Sequence, residues 1–448
     1  MNLSDSQRVA QKLETLGYKP APNQTEADLI VINMCSIRQS AVDRVIAIKA
    51  KLKPNQKTIL TGCVVKDDIS KLSQVFDYVL PIKSLPTWDK YLLQDKMIGF
   101  SDQRRMPEDE LLNIGYLKGK AKYDNNFSIN IPISYGCNNF CSYCVVPYTR
   151  GPLICRDKKD IIDEAKQAIK NGAKEIWLLG QNVNDYKWRT PVKSANADSL
   201  RSYSTGQKNQ NDFFESDFAD LIKEINDISG NFWIRFTSPH PAQMTDDFII
   251  AIAKCEKLTP YINLPVQAGD DIVLKNMNRP YTIKQYKTIV KKIRSAFKKY
   301  RKGDEKTVAL STDIIIGFPN ESKQQFNNTK KLVQDIAFDM AYLAEYSARK
   351  GTPASKLDNI SNTEKKDRFK ILNATLAKVV LKNNKKFVNK TLDCLVFSKK
   401  QNKNIYFAKT RHYKTVVFES DKNLIGEFVK IKTKKAESFI IKGELCQK

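Results

Sequence analysis

A chain of 448 residues with 75 Lys+Arg against 49 Asp+Glu carries a net charge of +26, and its length predicts about three domains at roughly 100–200 residues each. With 41% hydrophobic and 10% aromatic residues it can bury real cores, which excludes disorder as its general state. Only His240 and His412 are present, so Ser-His-Asp triads, two-histidine zinc sites and Cys-His proteases have almost nothing to build on. Neither G-x-x-x-x-G-K-[ST] nor G-x-G-x-x-G occurs. No run approaches the roughly 18–20 apolar residues of a membrane span, and Met1-Asn2-Leu3-Ser4-Asp5 has no signal pattern, so the expectation is a cytoplasmic protein with no membrane contact.

In chain order, residues 4–17 put Val9, Leu13 and Leu16 on one helical face and stop at Gly17. A buried-type strand at 27–33, a helix at 38–52 and a strand at 58–62 predict a doubly wound α/β unit with a parallel sheet, the first of the domains, over 1–100. The stretch 84–126 reads as an irregular connection. From Phe127 the alternation restarts, with strands at 127–134, 174–181, 233–239, 261–266, 308–318 and 339–347. Helices at 158–171, 216–229, 245–254, 282–300 and 323–336 fall between them, so 127–360 predicts a partial (β/α)6 barrel with its site at the C-terminal strand ends. Residues 187–212 read as a polar loop insertion. A connecting helix over 361–388 leads to strands at 391–398, 404–408, 414–419, 425–432 and 437–442, a small all-β barrel spanning 389–445.

Charge is concentrated at this end. Residues 361–448 hold 22 Lys+Arg and 8 Asp+Glu, or +14 of the total. That is the footprint of a module that neutralises phosphates, although 59 Lys against 16 Arg also fits a compositional bias. Tyr406, Phe407, His412, Tyr413 and Phe418 interleave with Lys409, Arg411, Lys414 and Lys430, a pattern that suits RNA contact and that any half-buried strand also gives.

Nine cysteines without a signal pattern argue against a disulfide framework. Three of them, Cys137, Cys141 and Cys144, fall within eight residues just after the first strand of the barrel. Thiolates select zinc or iron-sulfur clusters, and with no fourth ligand nearby one iron of a cubane would stay open. Structural zinc requires four closed ligands, and no partner stands at the usual spacing.

This spacing, with an aromatic before the last cysteine, resembles the radical S-adenosylmethionine (SAM) superfamily. Val145-Val146-Pro147-Tyr148-Thr149-Arg150-Gly151, Leu178-Leu179-Gly180-Gln181-Asn182-Val183-Asn184, Leu264-Pro265-Val266-Gln267, Met277-Asn278-Arg279 and Ser311-Thr312-Asp313 through Phe318-Pro319 resemble its methylthiotransferase family. The likeness runs from residue 1 to about 445, and the first two stretches are similar to the MiaB-type branch. That resemblance implies a methylthiotransferase N-terminal domain, a radical SAM core and a C-terminal TRAM barrel. It implies methylthiolation at C2 of N6-isopentenyladenosine beside the tRNA anticodon. Alternatives are another tRNA adenosine, a ribosomal protein, or a cluster-containing RNA-binding protein that inserts no sulfur. Leu153 stands where the family usually has Glu, and Cys155 where it more often has Ser.

The resemblance makes Cys137, Cys141 and Cys144 ligands of a 4Fe-4S cluster whose open iron binds SAM, with Tyr143, Gln181, Asn182, Gln267 and Asp313 as cofactor-contact candidates. For the last four a structural turn or cap is an equal reading. His240 reads as a satisfied loop histidine. A second 4Fe-4S cluster is implied at Cys35 and Cys63, which match two of the family's three ligands; the first falls before Met1. Three accounts are open: a start assigned downstream of the true one, which Asn2-Leu3-Ser4-Asp5-Ser6 favours by continuing the family pattern; replacement by Cys155; or loss. The implied partners are the tRNA anticodon stem-loop and an electron donor such as a flavodoxin or ferredoxin, acting on a monomer.

Overall fold

The computed structural model describes residues 1–35, 39–93, 117, 119, 121–123, 127–191 and 213–446. Its first unit is a parallel sheet of Leu29–Met34, Lys57–Gly62 and Tyr78–Val79 in that spatial order, with helices Asn2–Thr15, Gln39–Lys49 and Lys66–Leu72. The core of this unit reaches into the predicted connection. A 3-10 turn at Ile82–Thr87 and a helix at Trp88–Leu92 place Trp88, fully buried, against Val9, Ile59 and Leu80. Residues 94–116 of that connection lie outside the described residues.

Six parallel strands follow at Ser128–Pro132, Glu175–Leu179, Trp233–Phe236, Tyr261–Asn263, Ala309–Ile316 and Met340–Glu345, all at their predicted places. They form two three-stranded sheets joined by a parallel bridge between Ile234 and Leu258. Side-chain caps fix where the outer helices start. Asp157 and Thr245 accept the amides of Lys159 and Phe248, and Thr282/Gln285 and Ser322/Gln325 form reciprocal capping boxes. The insertion is more ordered at its edges than a loop: Lys187–Pro191 and Phe213–Asp217 pair as an antiparallel hairpin, and residues 192–212 lie outside the described residues.

After the helix Asn362–Lys385, five strands close into a barrel in the order Thr391–Lys399, Ile405–Thr410, Thr415–Glu419, Ile441–Leu445, Phe428–Ala436. This barrel plugs the N-terminal end of the (β/α)6 unit. Its turn at Thr410–Lys414 enters between the first halves of the strands, where Arg235 donates to the carbonyls of Thr410 (2.9 Å) and Arg411 (3.0 Å). Arg235 also binds Glu175 and Thr259 and lies 5.0–5.7 Å from the ring centres of Tyr413, Trp233 and Trp177. Lys414 pairs with Asp339, and Arg411 with Glu305.

The expected RNA face is therefore corrected. Tyr406 and Phe418 are core residues of the small barrel, and His412 and Lys414 are buried against the larger one, beside Tyr413 and Arg411. Phe407 and Lys430 remain on the outer side. Alternation gave the right strands, but the buried partner of their outward face lies in another domain.

His412 makes this docking pH-sensitive. Its Nε2 faces the carbonyl oxygens of Thr307 (2.8 Å) and Asp304 (3.2 Å), a position for a neutral N–H donor, and burial lowers its pKa to about 4. In the unfolded chain the imidazole protonates near 6.5. Between these values only the unfolded chain takes up the proton, so acidification from pH 6.5 to 4 is expected to remove up to about 3 kcal/mol of stability. His240, lowered to about 3 by burial and then Arg279, acts in the same direction, so denaturant titrations of H412Q should show a shallower acid dependence, not a flat one.

Candidate metal and cofactor site

The strand Ser128–Pro132 delivers the chain to Gly136, which has φ +78 and at which a Cβ would lie 2.0 Å from the Pro152 carbonyl oxygen. Only glycine fits there, and it turns the chain into the loop of Cys137, Cys141 and Cys144. The three cysteines line a cavity of about 390 Å3 at the C-terminal ends of the strands. Tyr143, Gln181, Asn182, Gln267 and Asp313 line the same cavity, so every site residue expected in the barrel is brought together.

Burial pushes the thiols of Cys137 and Cys144 up, the latter to about 12, so the bare loop favours neutral thiols and a bound metal must displace their protons. Among the described residues no three Cys, His, Asp or Glu side chains converge on one ion. Ligands of a cubane stand on separate irons and are spaced more widely than ligands of a single ion. The donor set therefore fits a cluster held by three thiolates.

The remaining walls fit a polar cofactor. Gln181 Oε1, Asn182 Oδ1 and His240 Nε2 are buried without a hydrogen-bond partner among the described residues. His240 accepts the Ala242 amide at Nδ1 (3.2 Å), which leaves Nε2 to carry the proton, so this histidine is only half satisfied within the protein. Asn182 donates to Gln243 (2.7 Å), so one of its ends is structural. Asp313 accepts from Asn263 (3.1 Å), and its carboxyl is raised by burial. Gln267, at φ +73, bridges backbone to Asp313 and Ile315.

Arg279 and Arg150 stood in the motifs without a role. Arg279, nearly buried, donates to Cys141 Sγ (3.5 Å), the Pro265 carbonyl (3.2 Å) and Tyr281 Oη (2.9 Å). Arg150 ends the short helix Val146–Arg150 that follows Cys144, and it reaches into the N-terminal unit. There it donates to Cys63 Sγ (3.1 Å), Asp5 (2.7 Å) and Asn2 (3.1 Å).

Cys35 and Cys63 leave the carboxyl ends of neighbouring parallel strands, paired through Met34 and Gly62. At Gly62, φ is +97 and a Cβ would lie 2.3 Å from the Met34 carbonyl oxygen, so the close approach requires glycine. Burial pushes the Cys63 thiol up, and Arg150 pulls the other way. Cys155 does not join Cys35 and Cys63: its sulfur accepts the Lys187 amide (3.4 Å) and packs on the barrel core. That removes it as the replacement thiol. Two thiols are one short of the set the resemblance implies.

Family models match in three places: Radical SAM superfamily over residues 131–333, Uncharacterized protein family UPF0004 over 1–81 and TRAM domain over 385–446. Among solved structures, the radical SAM methyltransferase TsrM from Kitasatospora setae superposes with TM-score 0.50 at 11% identity, covering 78% of this chain and 68% of that one, which shows the fold alone. The tRNA-2-methylthio-N(6)-dimethylallyladenosine synthase of Clostridium tetani is 35% identical over 99% of this chain and 94% of its own length. That of Alkaliphilus oremlandii is 36% identical over 100% and 91%. The chain belongs to the tRNA-2-methylthio-N(6)-dimethylallyladenosine synthase family. Membership of this radical SAM family implies a 4Fe-4S cluster and SAM, and the cavity with its three thiols and unmatched polar atoms is the site that fits them. No helix among the described residues is long and apolar enough to cross a membrane.

Proposed function

We propose that the protein transfers a methylthio group to C2 of N6-isopentenyladenosine beside the tRNA anticodon. The observation that carries this reading is a single cavity with three thiols on one wall and unmatched polar atoms on the others, with Cys63 joined to its rim through Arg150. When bound at Cys137, Cys141 and Cys144, the cluster with SAM supplies a carbon radical able to attack an unactivated C–H bond, which no side chain can do.

The protein's own residues bind, orient and exclude water. His240 offers an Nε2 donor, Gln181 and Asn182 offer acceptors to a cationic or hydroxyl-bearing ligand, and Tyr143, edge-on to Phe318 at 6.5 Å, closes the side behind the thiols. Arg279 holds positive charge against the sulfur of Cys141. Cys35 and Cys63, the latter joined to Arg150, supply two of the three thiols that a second, sulfur-donating cluster would need. The electron comes from a donor such as a flavodoxin or ferredoxin, and the protein works as a cytoplasmic monomer.

The test is anaerobic reconstitution followed by iron analysis and assay of isopentenylated tRNA. Methylthio product, with about eight irons per chain once a third ligand joins Cys35 and Cys63, is the expected result; about four irons, SAM cleavage and no product would replace this reading with a cluster protein that binds RNA without inserting sulfur.

For the RNA, the outer face of the small barrel presents Phe397, 39% exposed, with Phe407 at a ring distance of 6.4 Å and Lys409 over Phe397 at 5.7 Å. Stacking on such a platform contributes about 1–3 kcal/mol per base. Replacing both phenylalanines by Ala is expected to weaken anticodon stem-loop binding at least about tenfold while leaving its salt slope unchanged, as read by titration at several ionic strengths.

A further inference from the structure

A second cavity lies behind the wall of the first. It is a groove of about 610 Å3, lined among others by Pro241, Met244, Tyr281, Lys284, Thr288 and Lys292. The two linings meet in the contacts of Tyr281 with Arg279 and His240. On the cavity side of the wall stand Arg279, donating to Cys141 Sγ, and His240; on the groove side stands Tyr281, which receives the Arg279 Nε hydrogen bond at 2.9 Å and lies 5.8 Å from the His240 ring. Tyr281 is locked there by its hydroxyl, which donates to the Val266 carbonyl at 3.1 Å. A substrate seated in the groove would meet this wall and not the thiols. An electron crosses such a wall, and a nucleotide does not.

The groove's charge says what kind of carrier fits. Its long side is the helix Ile283–Tyr300, whose sequence IKQYKTIVKKIRSAFKKY has seven basic and no acidic residues. Lys284 and Lys292 stand two turns apart on its groove side, both exposed, with Thr288 between them; Lys292 is held by Asp246 at 2.7 Å. Pro241, Ala242, Met244 and Pro280 make the floor apolar. An apolar floor with a cationic rim is the complement of a protein whose redox centre sits at an apolar tip ringed by carboxylates.

We propose that this groove docks an acidic one-electron carrier protein, which reduces the cluster at Cys137, Cys141 and Cys144 through Tyr281 and Arg279. The carrier gives up one electron and the oxidised cluster gains it, with no atom exchanged. The proposal rests on the reading of those cysteines as cluster ligands.

The test follows cluster bleaching by stopped flow in the reconstituted full chain, with photoreduced flavodoxin as one reductant and dithionite as the other. In the parent protein the flavodoxin rate should fall as salt rises. In K284E/K292E it should drop about tenfold or more with much of the salt dependence gone, and the dithionite rate should stay unchanged. T288W, which fills the groove without altering its charge, should reproduce the loss. Flavodoxin rates equal to those of the parent in both variants would overturn the proposal. So would an equal loss with dithionite, or a loss of tRNA affinity in place of the donor rate, which would make the groove an RNA surface. A chain that binds no iron at the three cysteines would overturn the cluster reading and the groove with it, whereas full iron with unaltered donor rates overturns the groove alone.

Discussion

Cys141→Ala is expected to lose about four irons per chain and to reduce SAM cleavage to background, with the fold retained. Cys141 is the most buried of the three thiols on the cavity wall and the one that receives Arg279. Without it two thiolates remain, too few to hold a cubane against loss to solvent, and the Arg279 charge is left beside a methyl group. The change removes one sulfur from the edge of a cavity and no part of the close-packed core, so the melting temperature should move by only a few degrees. Cys155→Ser is the control, because Cys155 lies outside the cavity and should keep full iron. Iron retained in C141A, measured after anaerobic reconstitution and desalting, would rule out this site.

Arg235→Ala is expected to have the largest effect on stability, on the order of 3–5 kcal/mol, because it leaves a buried carboxylate and two backbone carbonyls without their cation. Arg235 is 1% exposed, and Glu175, its partner, is also held by Ser128 (3.0 Å) and Trp177 (2.7 Å). The loss should appear first as release of the small barrel, since Thr410 and Arg411 are attached to the larger one through this guanidinium. Limited proteolysis should cut near the end of the helix Asn362–Lys385 before global unfolding. Removing Glu175 as well should cost less than the sum of the two single changes, since the second removes the orphan the first creates. A single cooperative transition within 1 kcal/mol of the parent in urea would count against this account.

Much of this architecture can be read from the chain because the barrel's outer helices and buried strands obey simple periods. The helix expected over 158–171 is Lys158–Lys170, with Ile161, Ile162, Ala165 and Ala168 inward. The cysteine loop was legible for a different reason: three soft ligands within eight residues have few bland explanations.

What stayed hidden depends on contacts distant in sequence. Arg279 meets Cys141 across 138 residues, and Arg150 meets Cys63 across 87. Nothing local in either motif distinguishes these guanidinium groups from surface charges. The floor of the barrel misleads in the opposite way. Glu175, Arg235 and Ser311 are buried polar residues on the strands of the partial barrel, where a period of two would assign them to solvent. The aromatic alternation of 406–418 was ambiguous because both readings require a half-covered strand, and only the docked barrel shows what covers it.

The plug at Thr410–Lys414 has a consequence for how the protein is made. Arg235 is translated some 175 residues before the carbonyls that complete its shell. Until they arrive, the emerging barrel has a charged and aromatic floor open to water, and the cofactor cavity above it rests on strands that nothing yet clamps. A ribosome that stalls in the final fifth of the message would hold a nascent chain with all of its barrel strands synthesised but its base unsealed, exposed to proteases and to premature metal loading. Cluster insertion is therefore expected to follow chain release, and the last-made domain sets the time at which the enzyme can first be assembled.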